Sequence, residues 1–199
     1  KSSQQQRIIE LSAEFRRRGK VVLIGGPYAS LNPEKMRPHA DILVLGEIEE
    51  IAPTLFADIE KGTWRSEYEG GKPDLSKSPV PRWDLSKMGT ALWGQVQTSR
   101  GCPFECEFCD VIVYLGRKQR HKTPGQIVAE LDVLYGIGYR TVFLADDNFT
   151  VYRRRAKELL EALIEWNDAR GEGRMAFMTQ LSIDATRDAE LMRLCARAG

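Results

Sequence analysis

Three cysteines stand close together near the middle of the chain, in the run CPFECEFC. Cys102, Cys106 and Cys109 have the spacing C-x₃-C-x₂-C and directly follow a segment with the pattern of a β-strand. Three thiolates this close in sequence can bind one soft metal centre, either zinc or an iron–sulfur cluster. Because an odd number of cysteines cannot all pair in disulfides, we interpret this loop as a candidate metal site.

The number of protein ligands distinguishes a zinc ion from an iron–sulfur cluster. A structural zinc ion needs four ligands, and the candidates for the fourth are Cys195 and His121. Cys195 lies on the helical face of Leu191, so we predict that it belongs to the core. His121 lies in the basic stretch 117–122 and is predicted to be solvated, with zinc ligation as the alternative. Three cysteines on a four-iron cluster would leave one iron open to a substrate or cofactor.

The composition excludes several functional classes. The 199 residues contain 29 Lys and Arg against 28 Asp and Glu, so the net charge of +1 does not indicate a nucleic-acid partner. No apolar run approaches the ~20 residues of a membrane-spanning helix, and the first residues do not resemble a signal peptide. Four cysteines are too few for a secreted disulfide framework, so we expect a reducing, cytoplasmic location.

Residues 1–61 alternate between helical and strand-like segments. Two short apolar runs, which end at Ile24 and Leu45, predict part of a parallel sheet covered on both faces. A stable open sheet usually has more strands, so we expect further strands before this chain begins. Residues 62–94 are rich in Gly, Pro and Ser and are predicted to form a linker whose tryptophans pack against a neighbour.

Residues 95–199 are predicted to form three consecutive βα units. Thr123, Pro124 and Gln126 have the types and spacing of a helix start. Each predicted strand ends in polar residues, an arrangement typical of part of a (β/α) barrel. A complete eightfold barrel takes about 250 residues, so we expect only its first part here. The predicted strands cover residues 95–99, 141–144 and 175–181.

Glycines follow both strands predicted in the first segment. Gly25 and Gly26 follow the first strand, and Gly46 follows the second. Ligands of open parallel sheets bind at these carboxyl ends, where glycine lets a bulky ligand approach the backbone. The glycines do not form the dinucleotide-binding fingerprint, because no G-x-G-x-x-G opens a helix. A simple structural turn is the alternative interpretation.

The run SRGCPFECEFCD resembles the cluster-binding loop of the radical S-adenosylmethionine (radical SAM) superfamily. The resemblance implies a [4Fe-4S] cluster held by Cys102, Cys106 and Cys109. Its open iron would bind the amino and carboxylate groups of S-adenosylmethionine. The resemblance also implies that Phe108 lies against the adenine of that cofactor.

Two further strand ends resemble the parts of the family that bind S-adenosylmethionine. Asp146, Asp147 and Asn148 stand where the family has a methionine-binding Gly-Gly-Glu segment, and carboxylates can supply the same recognition of an ammonium group. Gln180 and Ser182 lie in the segment that ends the third barrel strand, where related enzymes contact the ribose and the methionine. Capping of the next helix by Asp147 or Asn148 is a second interpretation, compatible with the first.

The first segment, VVLIGGPYAS followed by ADILVLGEIEE, resembles the C-terminal half of a cobalamin-binding domain. With the cysteine loop, it makes the chain similar to the cobalamin-dependent radical SAM enzymes. The predicted fold class is therefore α/β, with the C-terminal half of a Rossmann-like cobalamin-binding domain (1–61), a linker (62–94) and a partial (β/α) radical SAM barrel (95–199). The candidate cobalamin contacts are Gly25, Gly26, Pro27, Tyr28, Gly46 and Glu47.

The resemblance implies an enzyme that cleaves S-adenosylmethionine reductively to a 5′-deoxyadenosyl radical. With cobalamin, the favoured outcome is methylation of an unactivated carbon in a small-molecule substrate. An electron donor such as a flavodoxin or ferredoxin is then expected as a partner. The alternatives are cobalamin-dependent radical cyclisation or rearrangement, and a non-catalytic iron–sulfur or zinc module. With only two histidines in the chain, no acid–base pair is evident, and the substrate stays open.

Overall fold

The computed structural model describes residues 2–86 and 91–199. The chain divides into two compact units, which are described separately. The first unit comprises Lys1–Pro73 with Phe108–Gly116, and the second comprises Asp74–Glu107 with Arg117–Gly199.

The first unit contains a parallel sheet of three short strands in the order β1-β2-β3. In register, Ile24 of β1 lies opposite Leu43 of β2, and Val44 of β2 lies opposite Tyr68 of β3. The strands are β1 (Leu23–Ile24), β2 (Ile42–Leu45) and β3 (Glu67–Glu69), and the helices are α1 (Gln5–Arg17), α2 (Pro27–Leu31), α3 (Pro33–Met36), α4 (Ala52–Lys61) and α5 (Val111–Tyr114).

The central strand β2 contributes side chains to two small cores. Ile42 and Val44 pack with Leu55 of α4 in one core. Leu43 packs with Met36 of α3 in the other. Because successive side chains of a strand point to opposite faces, both faces of the sheet are covered, as the continuous apolar run ILVL predicts.

The third strand of this sheet lies inside the segment predicted to be a linker. In β3 only Tyr68 is buried, and its hydroxyl donates a hydrogen bond to Asp58 Oδ2 of α4 at 2.7 Å. The longer segment of the first unit ends at Pro73, and Trp83 packs against the core of the second unit. The segment 62–94 is thus divided between the two units, and the sheet gains a strand that the sequence did not reveal.

The second unit contains a parallel sheet in the order β4-β7-β8 and an antiparallel pair, β5 and β6. Each successive parallel strand is added on the same side, the order in which a (β/α) barrel is built. The strands are β4 (Gly94–Val96), β5 (Ser99–Arg100), β6 (Arg120–His121), β7 (Thr141–Leu144) and β8 (Ala176–Thr179), and the helices are α6 (Pro124–Ile137), α7 (Arg153–Asp168) and α8 (Ala189–Ala198). Short 3₁₀ helices lie at Ser2–Gln4, Arg37–His39, Leu75–Lys77, Trp83–Leu85, Gly171–Gly173 and Ile183–Arg187.

Side chains define where the helices of the second unit begin. Thr123 and Gln126 form a reciprocal capping box at the start of α6, as their spacing predicts. The Asp188 carboxylate accepts a hydrogen bond from the Leu191 amide at 3.0 Å and so caps α8. Leu134 of α6 and Leu163 of α7 are fully buried in the core that covers this sheet. Among the described residues, no helix combines the length and the apolar character needed to cross a membrane.

Candidate functional site

The Asp146 side chain, just after β7, is one of the most buried carboxylates of the second unit, with 2% of its surface exposed. Its Oδ1 atom accepts hydrogen bonds from the amides of Thr98 at 2.7 Å and Ser99 at 2.8 Å. Its Oδ2 atom accepts a hydrogen bond from the Thr98 hydroxyl. Burial raises the pKa of Asp146, and the hydrogen bonds from Thr98 and Ser99 oppose that rise.

The neighbouring Asp147 contacts the start of the cysteine loop. Its Oδ2 atom accepts a hydrogen bond from the Gly101 amide at 3.0 Å, one residue before Cys102. Gly101 has a φ of +96°, a backbone conformation that other residues rarely adopt. The loop therefore leaves β5 in a turn whose direction is set by a glycine and held by a carboxylate.

Asn148 connects the end of β7 to the segment that follows β8. Its Nδ2 atom donates a hydrogen bond to Ser182 Oγ, and its carbonyl oxygen accepts one from Gln119 Nε2 at 2.9 Å. Capping of α7 by Asp147 or Asn148 does not occur, because the residue before that helix is Tyr152 and no side chain caps it. The Gln180 side chain is exposed, while its carbonyl oxygen accepts a hydrogen bond from the Phe149 amide at 2.9 Å.

None of the four cysteines forms a disulfide. Cys102 is buried and Cys106 is exposed, and both belong to the second unit. Cys109 is half-buried and belongs to the short segment counted with the first unit. Within residues 2–86 and 91–199, no three His, Cys, Asp or Glu side chains are grouped so that they could hold a metal ion. The cysteine loop fits an iron–sulfur cluster by the chemistry of its donors, because it offers three cysteines outside any disulfide, the residues that such clusters require.

The two alternative zinc ligands have other surroundings. His121 is half-buried rather than solvated, and its ring meets Tyr152 edge-on, with 5.7 Å between the ring centroids. Burial, and secondly the charge of Arg155, lower the pKa of His121. Cys195 packs against the core of the second unit as predicted, and burial raises the pKa of its thiol. A raised pKa disfavours the thiolate form that binds metals.

In the first unit, the residue after β2 must be glycine because another part of the backbone lies close to it. Gly46 has a φ of +72°, and a Cβ atom there would lie 2.4 Å from the carbonyl oxygen of Gly70. Gly70, which follows β3, is equally constrained, because its Cβ atom would lie 1.8 Å from the carbonyl oxygen of Glu47. The sequence did not single out Gly70. Its only signal was the pair Gly70-Gly71 in a stretch predicted to be a linker.

The remaining predicted cobalamin contacts lie at the ends of the same strands. Gly25, Gly26 and Pro27 are exposed after β1, and Glu47 is buried after β2. The hydroxyl of Tyr28, which is half-buried, donates a hydrogen bond to Gln5 Oε1 at 2.6 Å.

A cavity in the first unit brings several of the predicted site residues together. It has a volume of about 560 Å³. Phe108 is 90% exposed, so its ring is open to a ligand. The cavity is lined by Ser3, Pro27, Tyr28, Leu31, Phe108, Cys109, Asp110, Val111 and Tyr114.

Comparison with known proteins identifies a family for the second half of the chain. Residues 96–199 match the sequence model of the Radical SAM superfamily. Over 194 residues the chain is 40% identical to an uncharacterized methyltransferase, sll1242, of Synechocystis sp., and the match covers 96% of this chain and 36% of that protein. It is 36% identical to the hopanoid C-2 methylase of Rhodopseudomonas palustris, with 83% of this chain and 31% of that protein covered. The chain thus spans about a third of the length of these relatives.

A solved structure has a similar fold over nearly the whole chain. It is the radical S-adenosylmethionine methyltransferase TsrM from Kitasatospora setae, solved with cobalamin and a [4Fe-4S] cluster bound. The TM-score is 0.74 at 18% identity, and the match covers 98% of this chain and 43% of that one. At this identity the likeness establishes the fold alone, and it confirms the predicted α/β class with a partial barrel.

Proposed function

The chain belongs to the radical SAM superfamily, and from this premise we propose that it is the cofactor-binding part of a cobalamin-dependent enzyme that methylates an unactivated carbon. The observation that carries the proposal is the C-x₃-C-x₂-C run, whose cysteines form no disulfide and which follows β4 and β5 inside the segment that matches the family. The named methylase among its relatives supports the choice of methylation as the reaction.

In this proposal Cys102, Cys106 and Cys109 are the three protein ligands of a [4Fe-4S] cluster. Thiolates are the donors that such clusters require, and three of them leave one iron for a further ligand. When bound, the cluster supplies one electron for the reductive cleavage of S-adenosylmethionine, and cobalamin supplies methyl-group transfer. The protein itself holds these groups and shields them from water.

The proposed contacts to S-adenosylmethionine come from three segments. The exposed ring of Phe108 offers an apolar face to the adenine. Asp147 and Asn148 lie at the end of β7, and Ser182, hydrogen-bonded to Asn148, lies beyond β8. Because carboxylates attract an ammonium group, we assign Asp147 to the amino group of the methionine. Gln180, with its exposed side chain, is the candidate contact for the ribose.

We assign the cobalamin contacts to the strand ends of the first unit. Gly25 and Gly26 are exposed after β1, where the lack of side chains lets a large flat ligand come close. Gly46, whose missing Cβ makes room for the Gly70 carbonyl, is assigned to the cofactor through its backbone. Pro27 and Tyr28 line the cavity of about 560 Å³ that also includes Phe108. Glu47 is buried directly after Gly46, so we assign its backbone, rather than its carboxylate, to the cofactor side.

The proposed partners are a small-molecule substrate and a one-electron donor such as a flavodoxin or ferredoxin. The donor is required because the cluster must be reduced before each cleavage of S-adenosylmethionine. We also propose a cytoplasmic location, since free, exposed thiols such as Cys106 persist in a reducing compartment.

The test is anaerobic reconstitution of the full-length protein with iron and sulfide, followed by electron paramagnetic resonance of the reduced protein. We expect a [4Fe-4S]⁺ signal that changes when S-adenosylmethionine is added. The signal should be lost in Cys106→Ala and retained in Cys195→Ala, the matched control at a core cysteine. One tightly bound zinc ion without a cluster signal would instead identify a non-catalytic metal module.

A second measurement separates methylation from cyclisation or rearrangement. The reconstituted protein is supplied with cobalamin and with S-adenosylmethionine labelled in its methyl group, and is then incubated with a small-molecule extract. Methylation predicts a product that carries the labelled methyl group. Formation of 5′-deoxyadenosine with no labelled product would favour the other radical outcomes.

A further inference from the structure

Both side-chain oxygens of Asp146 accept hydrogen bonds from the protein itself. The amides of Thr98 and Ser99 donate to its Oδ1 atom at 2.7 and 2.8 Å, and the Thr98 hydroxyl donates to Oδ2. Its exposed fraction is 2%. A carboxylate that recognises the ammonium group of a ligand must present an accessible oxygen, and Asp146 instead faces the protein interior.

The groups bound by Asp146 belong to the segment that leads into the cysteine loop. Thr98 and Ser99 lie between the end of β4 and Cys102, and Asp147 accepts the amide of Gly101 in the same segment. Three backbone amides of residues 98–101 are therefore held by two consecutive carboxylates at the end of β7. The Lys122 amide donates to the Thr98 carbonyl oxygen at 2.9 Å and fastens the segment from the other side.

We propose that Asp146 is a positioning residue, which fixes the backbone of residues 98–101 so that Cys102 enters the cluster site in one orientation. The assignment rests on the proposed function and replaces the prediction from sequence that Asp146 contacts S-adenosylmethionine. Recognition of the methionine end of S-adenosylmethionine falls to Asp147 and to the polar groups after β8, while Asp146 acts through Cys102.

The size of the expected effect follows from metal sites in general. Substitution of a group that orients the ligands of a metal centre lowers metal affinity or activity by about 10- to 100-fold. Asp146→Asn keeps the shape of the side chain but removes its charge, and charge-assisted hydrogen bonds are about twice as strong as neutral ones. We therefore expect an effect of about tenfold, at the lower end of that range.

The experiment compares Asp146→Asn with Asp147→Asn in the full-length protein. For Asp146→Asn we expect about tenfold faster loss of cluster iron to a chelator, with unchanged affinity for S-adenosylmethionine in the cluster-loaded fraction. For Asp147→Asn we expect weaker binding of S-adenosylmethionine and a smaller increase in iron loss, because Asp147 holds one amide of the segment, that of Gly101, whereas Asp146 holds two. If Asp146→Asn instead holds iron normally and binds S-adenosylmethionine weakly, Asp146 is a ligand contact and the inference is wrong.

Hydrogen exchange provides a readout in the cluster-free protein. The amides of Thr98 and Ser99 should exchange faster in Asp146→Asn than in the wild type, and equal exchange rates would overturn the inference. This measurement tests the positioning role separately from the proposed function. If the wild type builds no cluster, the proposed function is contradicted, but the exchange rates still decide whether Asp146 holds the segment.

Thr98→Val keeps the inference testable if Asp146→Asn does not fold. It removes one donor to Asp146 and no group assigned to a cofactor. We expect faster iron loss in the same direction but a smaller effect than that of Asp146→Asn, because only one of the three hydrogen bonds to Asp146 is removed. In the double variant the combined effect should be smaller than the product of the two single effects, because the Thr98 hydroxyl acts through Asp146. Iron loss at the wild-type rate in Thr98→Val would contradict the positioning role.

Discussion

The carboxyl ends of the strands are built differently in the two compact units. In the first unit, backbone lies against backbone: Cβ atoms at Gly46 and Gly70 would lie 2.4 and 1.8 Å from carbonyl oxygens. In the second unit, the side chains of Asp146, Asp147 and Asn148 fasten the neighbouring loops through hydrogen bonds. The first unit therefore depends on glycine where its strand ends meet, whereas the second depends on side-chain hydrogen bonds that hold the loop leading to Cys102.

The largest effect is expected from a side chain at the glycine edge of the first unit. In Gly70→Ala the new Cβ atom meets the Glu47 carbonyl, so strands β2 and β3 must move apart. Overpacking of this kind costs about 3 kcal/mol of the free energy of unfolding. The shift of the urea denaturation midpoint measures it.

Gly71→Ala is the matched control for this substitution. Its Cβ atom would meet only the flexible Glu50 carboxylate, at 3.2 Å. We expect a midpoint close to that of the wild type. Equal midpoints for the two variants would mean that the backbone contact at Gly70 does not limit the side chain there. The contrast between the two units would then be wrong.

A smaller loss is expected where a side chain fastens the second unit. Asn167 is fully buried, and its Nδ2 atom donates to the carbonyl oxygens of Met175 at 2.8 Å and Ala198 at 2.7 Å. Its Oδ1 atom accepts a hydrogen bond from the Met175 amide at 2.8 Å. Asn167→Ala leaves these buried groups without partners and should cost about 2 kcal/mol in urea denaturation.

Glu161→Ala, on the exposed side of the same helix, provides the control for Asn167→Ala. It should change the free energy of unfolding by less than about 0.5 kcal/mol. If the two variants are equally stable, the side-chain hydrogen bonds of Asn167 do not stabilise the second unit, and the contrast with the first unit is wrong.

The smallest effect concerns the pH dependence of the second unit. Because burial and Arg155 lower the pKa of His121 below 6.5, the unfolded chain binds a proton there more readily than the folded protein. The stability linked to His121 is therefore complete above pH 6.5 and decreases as the pH falls through that value towards the lowered pKa.

His121→Gln measures this contribution by difference. Between about pH 7.5 and pH 5.5 the variant should lose less stability than the wild type, as thermal denaturation would record. Identical slopes for the two proteins would mean that His121 is as solvated as the sequence suggested.

Elements with strong local signals were predictable from the sequence. The strand at 141–144 was predicted with the observed boundaries of β7, and Thr123, Pro124 and Gln126 predicted the observed start of the helix α6. Pro in the first turn and Gly after the last residue bound the helix, and an apolar run bounds the strand. Such signals lie within a few residues of the element they define.

Features that depend on distant partners were not predictable. β3 exists because β2 offers it a partner, while two of its three residues are charged glutamates. On α1, Leu11 and Phe15 share one apolar helical face, yet both are exposed. Ser12 is buried instead, because its hydroxyl donates to the His39 carbonyl oxygen.

The site shows the same division between local and distant signals. The cysteine spacing was sufficient to identify the family, because it lies within eight consecutive residues. The hydrogen bonds of Asp146 could not be predicted from the sequence, since the amides that donate them lie 47 and 48 residues earlier in the chain. Sequence alone therefore indicated the cofactor but not which carboxylate could reach it.

The most direct test of the account concerns the open iron of the cluster. The reduced full-length protein would be studied by electron–nuclear double resonance with S-adenosylmethionine isotopically labelled at its amino nitrogen. If S-adenosylmethionine binds the open iron, we expect a hyperfine coupling between the label and the cluster, which is absent in Cys106→Ala. An intact cluster that shows no coupling to the labelled nitrogen would mean that the iron does not bind the amino group.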